Sequence, residues 1–156
     1  MTTSTQNFVP KRVYLDVCAL SRPFDDQRQV RIQLESTAVA LILEHVKQKE
    51  LALIVATIHD LEINSISDLE ERRQLILLLN QIGTRYPFDL SKTQQRAKFL
   101  VAQNLGLADA THLAFAEQAQ ADFVTVDDRL LKQCRRVQAT IWYGTPPAYC
   151  EKENLR

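Results

Sequence analysis

Asp122-Phe123-Val124-Thr125-Val126-Asp127-Asp128-Arg129-Leu130 is the stretch that decides the fold. Asp122 to Val126 is rich in β-branched residues and reads as a strand, and two acids follow it at once. Two further stretches have the same form. Arg12 to Leu15 is a short apolar run that ends at Asp16, and Leu51 to Ala56 is a continuous apolar run too short for an independent helix. Ile141 to Tyr143 reads as a last short strand, and the Arg85 to Leu90 stretch as another. Near-continuous apolar strands, rather than alternating ones, belong in a parallel sheet covered on both faces.

The intervening segments have helical spacing. From Arg31 to Lys49, Leu34, Ala38, Leu41 and Ile42 recur at three- and four-residue intervals, and Lys47 and Lys49 suit a helix C-terminus. Thr57 with Asp60 three positions on resembles a capping box, so the second strand runs into a second helix. Leu69 to Ile82 carries Leu75, Leu78, Leu79 and Ile82 on one side and is closed by Gly83. Ser91 caps a helix through Gln103, and Leu107 to Gln120 is a further apolar-faced helix. Strands alternating with helices predict the α/β class: a three-layer α/β/α sandwich around a parallel sheet of about five strands. Residues 12–144 form the expected domain, and residues 1–11 and 145–156 are expected to be flexible termini.

The 156 residues suffice for one domain with a real core. Cys18, Cys134 and Cys150 are an odd number with no C-x-x-C spacing, which disfavours a disulfide framework or a thiolate zinc site. Met1 to Gln6 lacks the basic and apolar residues of a leader, and no apolar run approaches the roughly 20 residues that span a bilayer, so the expectation is a cytoplasmic protein with no membrane contact. Net charge is zero and the pI is about 6.8, so any nucleic-acid contact must come from a local patch. Gly83, Gly106 and Gly144 are too far apart for G-x-G-x-x-G or a P-loop, which argues against the usual nucleotide-cofactor enzymes.

In open α/β sheets, ligands bind beyond the carboxyl ends of the strands. Asp16, Asp127 and Asp128 all occupy such positions. Asp109 lies in the first turn of its helix on a face shared with Leu113 and Ala116, an unfavourable place for a charge unless it points into a cleft. Glu62 is one turn into the helix that begins near Thr57. Helix N-terminal dipoles would help Asp109 and Glu62 remain ionised. Taken singly, each such acid also reads as a helix cap; the joint pattern is what points to a site.

Carboxylates clustered without cationic partners raise one another's pKa, so a cluster of this kind implies bound divalent cations, and Mg²⁺ and Mn²⁺ prefer oxygen ligands. In phosphodiester hydrolysis such ions activate a water and stabilise the attacking and leaving oxygens. Asp16, Asp109 and Asp127 are then the expected metal ligands, with Glu62 orienting a water or a second ion.

These residues resemble the PIN-domain family, which includes the toxin nucleases of bacterial VapBC toxin–antitoxin pairs. The matching pieces are Val13-Tyr14-Leu15-Asp16, Glu62, Leu107-Ala108-Asp109-Ala110-Thr111-His112-Leu113-Ala114, and Phe123-Val124-Thr125-Val126-Asp127-Asp128-Arg129-Leu130. The resemblance spans about Arg12 to Tyr143. It implies a Mg²⁺- or Mn²⁺-dependent endoribonuclease using Asp16, Glu62, Asp109 and Asp127, frequent homodimers and, for toxin members, an antitoxin protein whose tail blocks the cleft. The family commonly has Asn two residues after its first Asp, where this chain has Cys18. Its Thr-x-Asp pattern favours Asp127 over Asp128 as ligand.

Other residues have two readings. Thr125 either hydrogen-bonds a metal-bound water or is an ordinary β-branched strand residue. Glu35, in line with Val39, Ile42 and Val46, is either a cleft acid or a buried partner for an arginine such as Arg22. Arg22, Arg28 and Arg31, with Arg129, Lys132, Arg135 and Arg136, are either phosphate contacts or solvated charges. His112 reads as satisfying a local hydrogen bond rather than as a base, and Cys134 and Cys150 carry no visible chemistry. The alternative to an RNA-hydrolysing enzyme is a catalytically weak PIN-like domain that binds RNA or protein as a regulatory module. A phosphoacceptor of the receiver type also uses acids beyond strand ends, but no lysine stands at a comparable strand end to complete it.

Overall fold

The computed structural model describes residues 8–156. Most of the expected N-terminal tail therefore lies outside the described residues. The chain runs β1 (Lys11–Leu15), α1 (Val17–Ser21), a 3₁₀ turn (Arg22–Phe24), α2 (Val30–Lys47), β2 (Leu51–Val55), α3 (Thr57–Asn64), α4 (Leu69–Ile82), β3 (Gly83–Arg85), α5 (Leu90–Ala102), α6 (Leu107–Gln118), β4 (Asp122–Val124), α7 (Asp128–Arg136), β5 (Tyr143–Gly144) and α8 (Pro146–Lys152). The five strands form one parallel sheet in the order β3-β2-β1-β4-β5.

This is the expected three-layer sandwich, and its two apolar layers are visible along each strand. Val13, Leu15, Leu53, Val55 and Val124 pack with α1, α2, α4 and Tyr149 of α8 on one face. Tyr14, Ile54 and Phe123 pack with α5, α6 and α7 on the other. Successive side chains of a strand point to opposite faces, so strands buried on both sides must be apolar throughout.

Strand order decides where a ligand can sit. From β1 the chain steps outward to β2 and β3, then returns to the other side of β1 for β4 and β5. The reversal falls between β1 and β4, and a crevice opens at such a switch point beyond the strand ends. Asp16 follows β1 and Asp127 follows β4 by three residues, so the topology aims both at that crevice.

Several local expectations are corrected. The third strand is Gly83–Arg85, not Arg85 to Leu90, because Gly83, Thr84 and Arg85 pair with Leu53, Ile54 and Val55. Gly83 does not close α4 in a left-handed conformation; its φ is −74°. It is required for close approach, since a Cβ there would lie 2.5 Å from both the Leu79 carbonyl oxygen and Val55 Cγ2. Asp89, not Ser91, caps α5, accepting from Lys92 N–H at 3.2 Å. The N-cap of α3 is Ala56, and no Thr57–Asp60 box forms; His59 Nδ1 accepts the Ala56 N–H at 3.0 Å, while Asp60 pairs with Arg85.

The expectation of a loose tail after Gly144 is also corrected. Pro146 stands at the start of α8, Thr145 caps it, and Tyr149 is completely buried. Proline near a helix start and a threonine before it are ordinary initiation chemistry. What the local sequence did not carry is the apolar surface of α2 on which Tyr149 closes.

Candidate active site

Asp16 is buried, and one oxygen caps α1 by accepting the Ala19 N–H at 2.9 Å. Burial pushes its pKa up to about 6; the neighbouring Asp109 also raises it, while hydrogen bonds from Thr125 and the Ala19 N–H oppose the rise. Asp127 caps α7 in the same manner, its Oδ1 accepting from Arg129 N–H at 2.9 Å and Leu130 N–H at 3.2 Å. Capping uses one oxygen of each carboxylate. The cap and ligand readings are therefore compatible, because the cap fixes the rotamer and leaves the second oxygen.

Thr125 connects these two acids. It is fully buried, its hydroxyl oxygen accepts the Asp127 N–H at 3.2 Å, and it lies against Asp16. Thr125 thus ties the main chain of Asp127 to the side chain of Asp16.

Asp109 lies in the first turn of α6, as expected, but the helix dipole does not dominate its ionisation. Burial, then Asp127 and Glu62, raise its pKa. Glu62 is in the second turn of α3, half-exposed, and its pKa is lowered chiefly by a hydrogen bond to His112 rather than by a helix terminus. Cys18 is exposed at the surface, yet partial desolvation and then the nearby Asp16, Glu62, Asp109 and Asp127 push its thiol up to about 12. Cys18 is thus an un-ionised thiol on the wall of an acidic cleft. That cleft has a volume of about 490 Å³ and is lined by Cys18, Arg22, Glu62 and Asp127 among others.

The structure separates the remaining acids from this group. Asp128 points to Arg31, whose guanidinium donates to both its oxygens at 2.8 Å and holds its pKa down. Glu35 is buried and accepts from Arg22 Nη2 at 2.9 Å and Arg31 Nε at 3.2 Å. Arg31 Nη2 also reaches the Val126 carbonyl at 3.4 Å, so α2 is bonded to the loop that presents Asp127.

Breaking this network should be costly. Arg22→Met leaves a buried carboxylate with one exposed arginine as partner, and a loss of about 2–3 kcal/mol is expected, below the value for a fully buried pair because Arg22 is itself partly exposed. Arg22→Met with Glu35→Met should regain most of it. Urea denaturation of the four proteins of this cycle gives the coupling, and strictly additive losses would show that the pair does not stabilise the fold.

Two buried histidines and a tyrosine back the site. Tyr14 Oη is 2.6 Å from His112 Nδ1, and His112 Nε2 meets Glu62 Oε1. His59 accepts from Ala56 N–H through Nδ1, so its Nε2 carries the proton donated to the Leu15 carbonyl at 2.8 Å. Burial pushes its pKa down to about 4. The bond expected of His112 exists, but to partners distant in sequence; a tyrosine inside the apolar run Val13 to Leu15 was the signal that it needed one.

Among the described residues, no three His, Cys, Asp or Glu side chains already stand at the spacing that encloses a metal ion. The donor chemistry nevertheless fits a hard divalent cation. Asp16 and Asp109 are desolvated carboxylates; Asp109 raises the pKa of Asp16, Asp127 and Glu62 raise that of Asp109, and a divalent cation would offset this crowding of negative charge.

The PIN-domain family model matches residues 13–136. The chain belongs to the PIN-domain family. No curated protein matches it in sequence. Among solved structures, this PIN domain is similar to FitAcB from Neisseria gonorrhoeae, with 15% identity and a TM-score of 0.52 over 86% of this chain and 97% of that one. It is also similar to FitAB bound to the IR36 DNA fragment, with 16% identity and a TM-score of 0.53 over 86% of this chain and 94% of that one. At such identities the likeness is one of fold. Among the described residues, no helix is long and apolar enough to cross a membrane.

Proposed function

We propose that this PIN domain is a metal-dependent endoribonuclease that hydrolyses RNA phosphodiester bonds and serves as the toxin of a toxin–antitoxin pair. The observation that carries the reading is the electrostatic coupling of Asp109 to Asp16, Asp127 and Glu62 around the sheet's switch point. Asp16, Asp109 and Asp127 would hold Mg²⁺ or Mn²⁺. When bound, the ion lowers the pKa of water and neutralises charge on the reacting phosphate.

The chain's own groups supply the rest. Glu62, kept ionised by His112, takes the proton of the attacking water as the new P–O bond forms and the bond to the leaving oxygen breaks. The two helix caps hold the Asp16 and Asp127 carboxylates in fixed rotamers, and Thr125 anchors the Asp127 main chain beside Asp16. Of the basic residues, Arg22, Arg28 and Arg31 are neutralised by Glu35, Asp25, Asp26 and Asp128. Arg129 is near enough to lower the pKa of Asp109 and stands in the first turn of α7, so it is the favoured phosphate contact.

Purified protein is expected to cleave RNA in Mn²⁺ or Mg²⁺, and EDTA and Asp109→Asn each to remove at least about 100-fold of the rate. Cleavage that survives both would overturn the enzymatic assignment. RNA binding without cleavage would favour the regulatory module instead. Toxin function is tested separately: induced expression should arrest growth, and Asp109→Asn should relieve the arrest.

A further inference from the structure

Tyr14 is completely buried in the middle of β1, on the face covered by α6. A phenol is protonated at neutral pH, and its O–H must find an acceptor when buried. Among the described residues its hydrogen-bond partner is His112 Nδ1, at 2.6 Å. Nδ1 is therefore the accepting nitrogen of His112, and the ring's proton resides on Nε2. Nε2–H donates to Glu62 Oε1. The direction of the chain follows: Tyr14 O–H to His112, then His112 N–H to Glu62.

The surroundings keep the imidazole from turning. His112 is 3% exposed, with the Tyr14 ring at 5.6 Å and the His59 ring at 5.2 Å, both edge-on. His59 is fixed in turn by the Ala56 N–H and the Leu15 carbonyl, the residue immediately before Asp16. Glu62, by contrast, is half-exposed and lines the acidic cleft, so only one of its oxygens is committed to the interior.

We propose that Tyr14 and His112 form a buried orienting relay whose task is to hold Glu62 with one oxygen on His112 Nε2–H and the other presented to the cleft. His112 is thus a positioning residue, and Tyr14 and Glu62 together fix its tautomer. The assignment of a catalytic task to Glu62 rests on the nuclease reading above; the relay's geometry does not.

Two measurements on the full chain test it. Long-range ¹H–¹⁵N correlation spectra of the histidine rings should show His112 as the neutral Nε2–H tautomer, and Tyr14→Phe, which removes the donor to Nδ1, should shift the His112 Nδ1 resonance while the His59 signals stay in place. In single-turnover RNA cleavage, His112→Leu is expected to lower the rate about 10–100-fold with little change in KM, and His112→Gln, which retains an N–H donor for Glu62, to recover at least about tenfold of that loss. An Nδ1–H tautomer or an imidazolium at neutral pH would overturn the relay. So would equal loss in the Leu and Gln variants, or full activity in His112→Leu. If His112→Leu does not fold, the spectrum of Tyr14→Phe and the rate of His112→Gln decide. A wild-type chain that cleaves no RNA defeats the nuclease reading alone, and the spectra then decide the relay.

Discussion

At about pH 7.5, in the absence of divalent metal, Asp16→Asn is expected to give a protein more stable than the wild type and without nuclease activity. Asp16 titrates near 6 in the fold against 3.8 ordinarily, and burial is the principal cause. Below 3.8 the folded and unfolded chains both hold the proton, and its stabilising contribution is fully present. Between 3.8 and about 6 the folded state keeps a proton that the unfolded state has released, so stability falls as pH rises, and above about 6 the whole penalty stands. At about 1.4 kcal/mol per pKa unit, the penalty is roughly 2–3 kcal/mol. Asparagine keeps the oxygen that accepts the Ala19 N–H, so the cap survives the substitution. Thermal unfolding at about pH 4 and pH 7.5 checks the sign: the gain should be large at the higher pH and small at the lower. Mn²⁺ should raise the melting temperature of the wild type and not of Asp16→Asn, because only the former gains a ligand that binds the folded state. A variant less stable than the wild type at both pH values would contradict the burial argument.

The same feature explains why the sequence was legible at this point. An apolar strand that ends on a carboxylate is locally inconsistent unless the acid caps a helix or binds something, and Asp16 and Asp127 cap helices with one oxygen each. The parallel sheet was legible for a related reason: Val13 to Leu15, Leu51 to Val55 and Phe123 to Val124 are apolar on both faces, as only covered strands can be. Short elements were not. Tyr143–Gly144 and Gly83–Arg85 are strands because neighbouring backbones offer partners, and two or three residues carry no period of their own. Helix starts depended on tertiary placement: Asp89 rather than Ser91 caps the first turn of α5, and α3 starts after Ala56, whose N–H is taken by His59.

The second layer around the acids was the least legible part. Glu62 was marked by position, but nothing local announces that its partner is His112, fifty residues away, or that Tyr14 completes the chain. Arg31 is similar: its four-residue spacing to Glu35 is visible in sequence, whereas its grip on Asp128 and the Val126 carbonyl depends on α2 lying beside the β4–α7 loop. Hydrogen-bond partners across elements follow from tertiary packing, which one sequence does not spell out.

Tyr149→Ala is expected to cost about 3–5 kcal/mol, as large as the loss of any core aromatic. The ring is wholly buried, 5.6 Å from Trp142, with the Lys152 ammonium over it at 5.6 Å. Lys152 Nζ donates to Asp122 at 3.0 Å, Lys11 Nζ to Glu153 at 3.0 Å, and Cys150 to the Ala38 carbonyl at 3.5 Å, so α8 is fastened to β1, β4 and α2 around this one side chain. The hydroxyl contributes differently: it is buried without a hydrogen-bond partner among the described residues. Tyr149→Phe should therefore be neutral, or stabilise by up to about 1 kcal/mol, because it removes a polar group that gained no compensating bond on leaving water. Urea denaturation of the two variants separates packing from polarity. A tail that only trailed from the domain would tolerate alanine within about 0.5 kcal/mol, and that result would remove α8 from the cooperative fold.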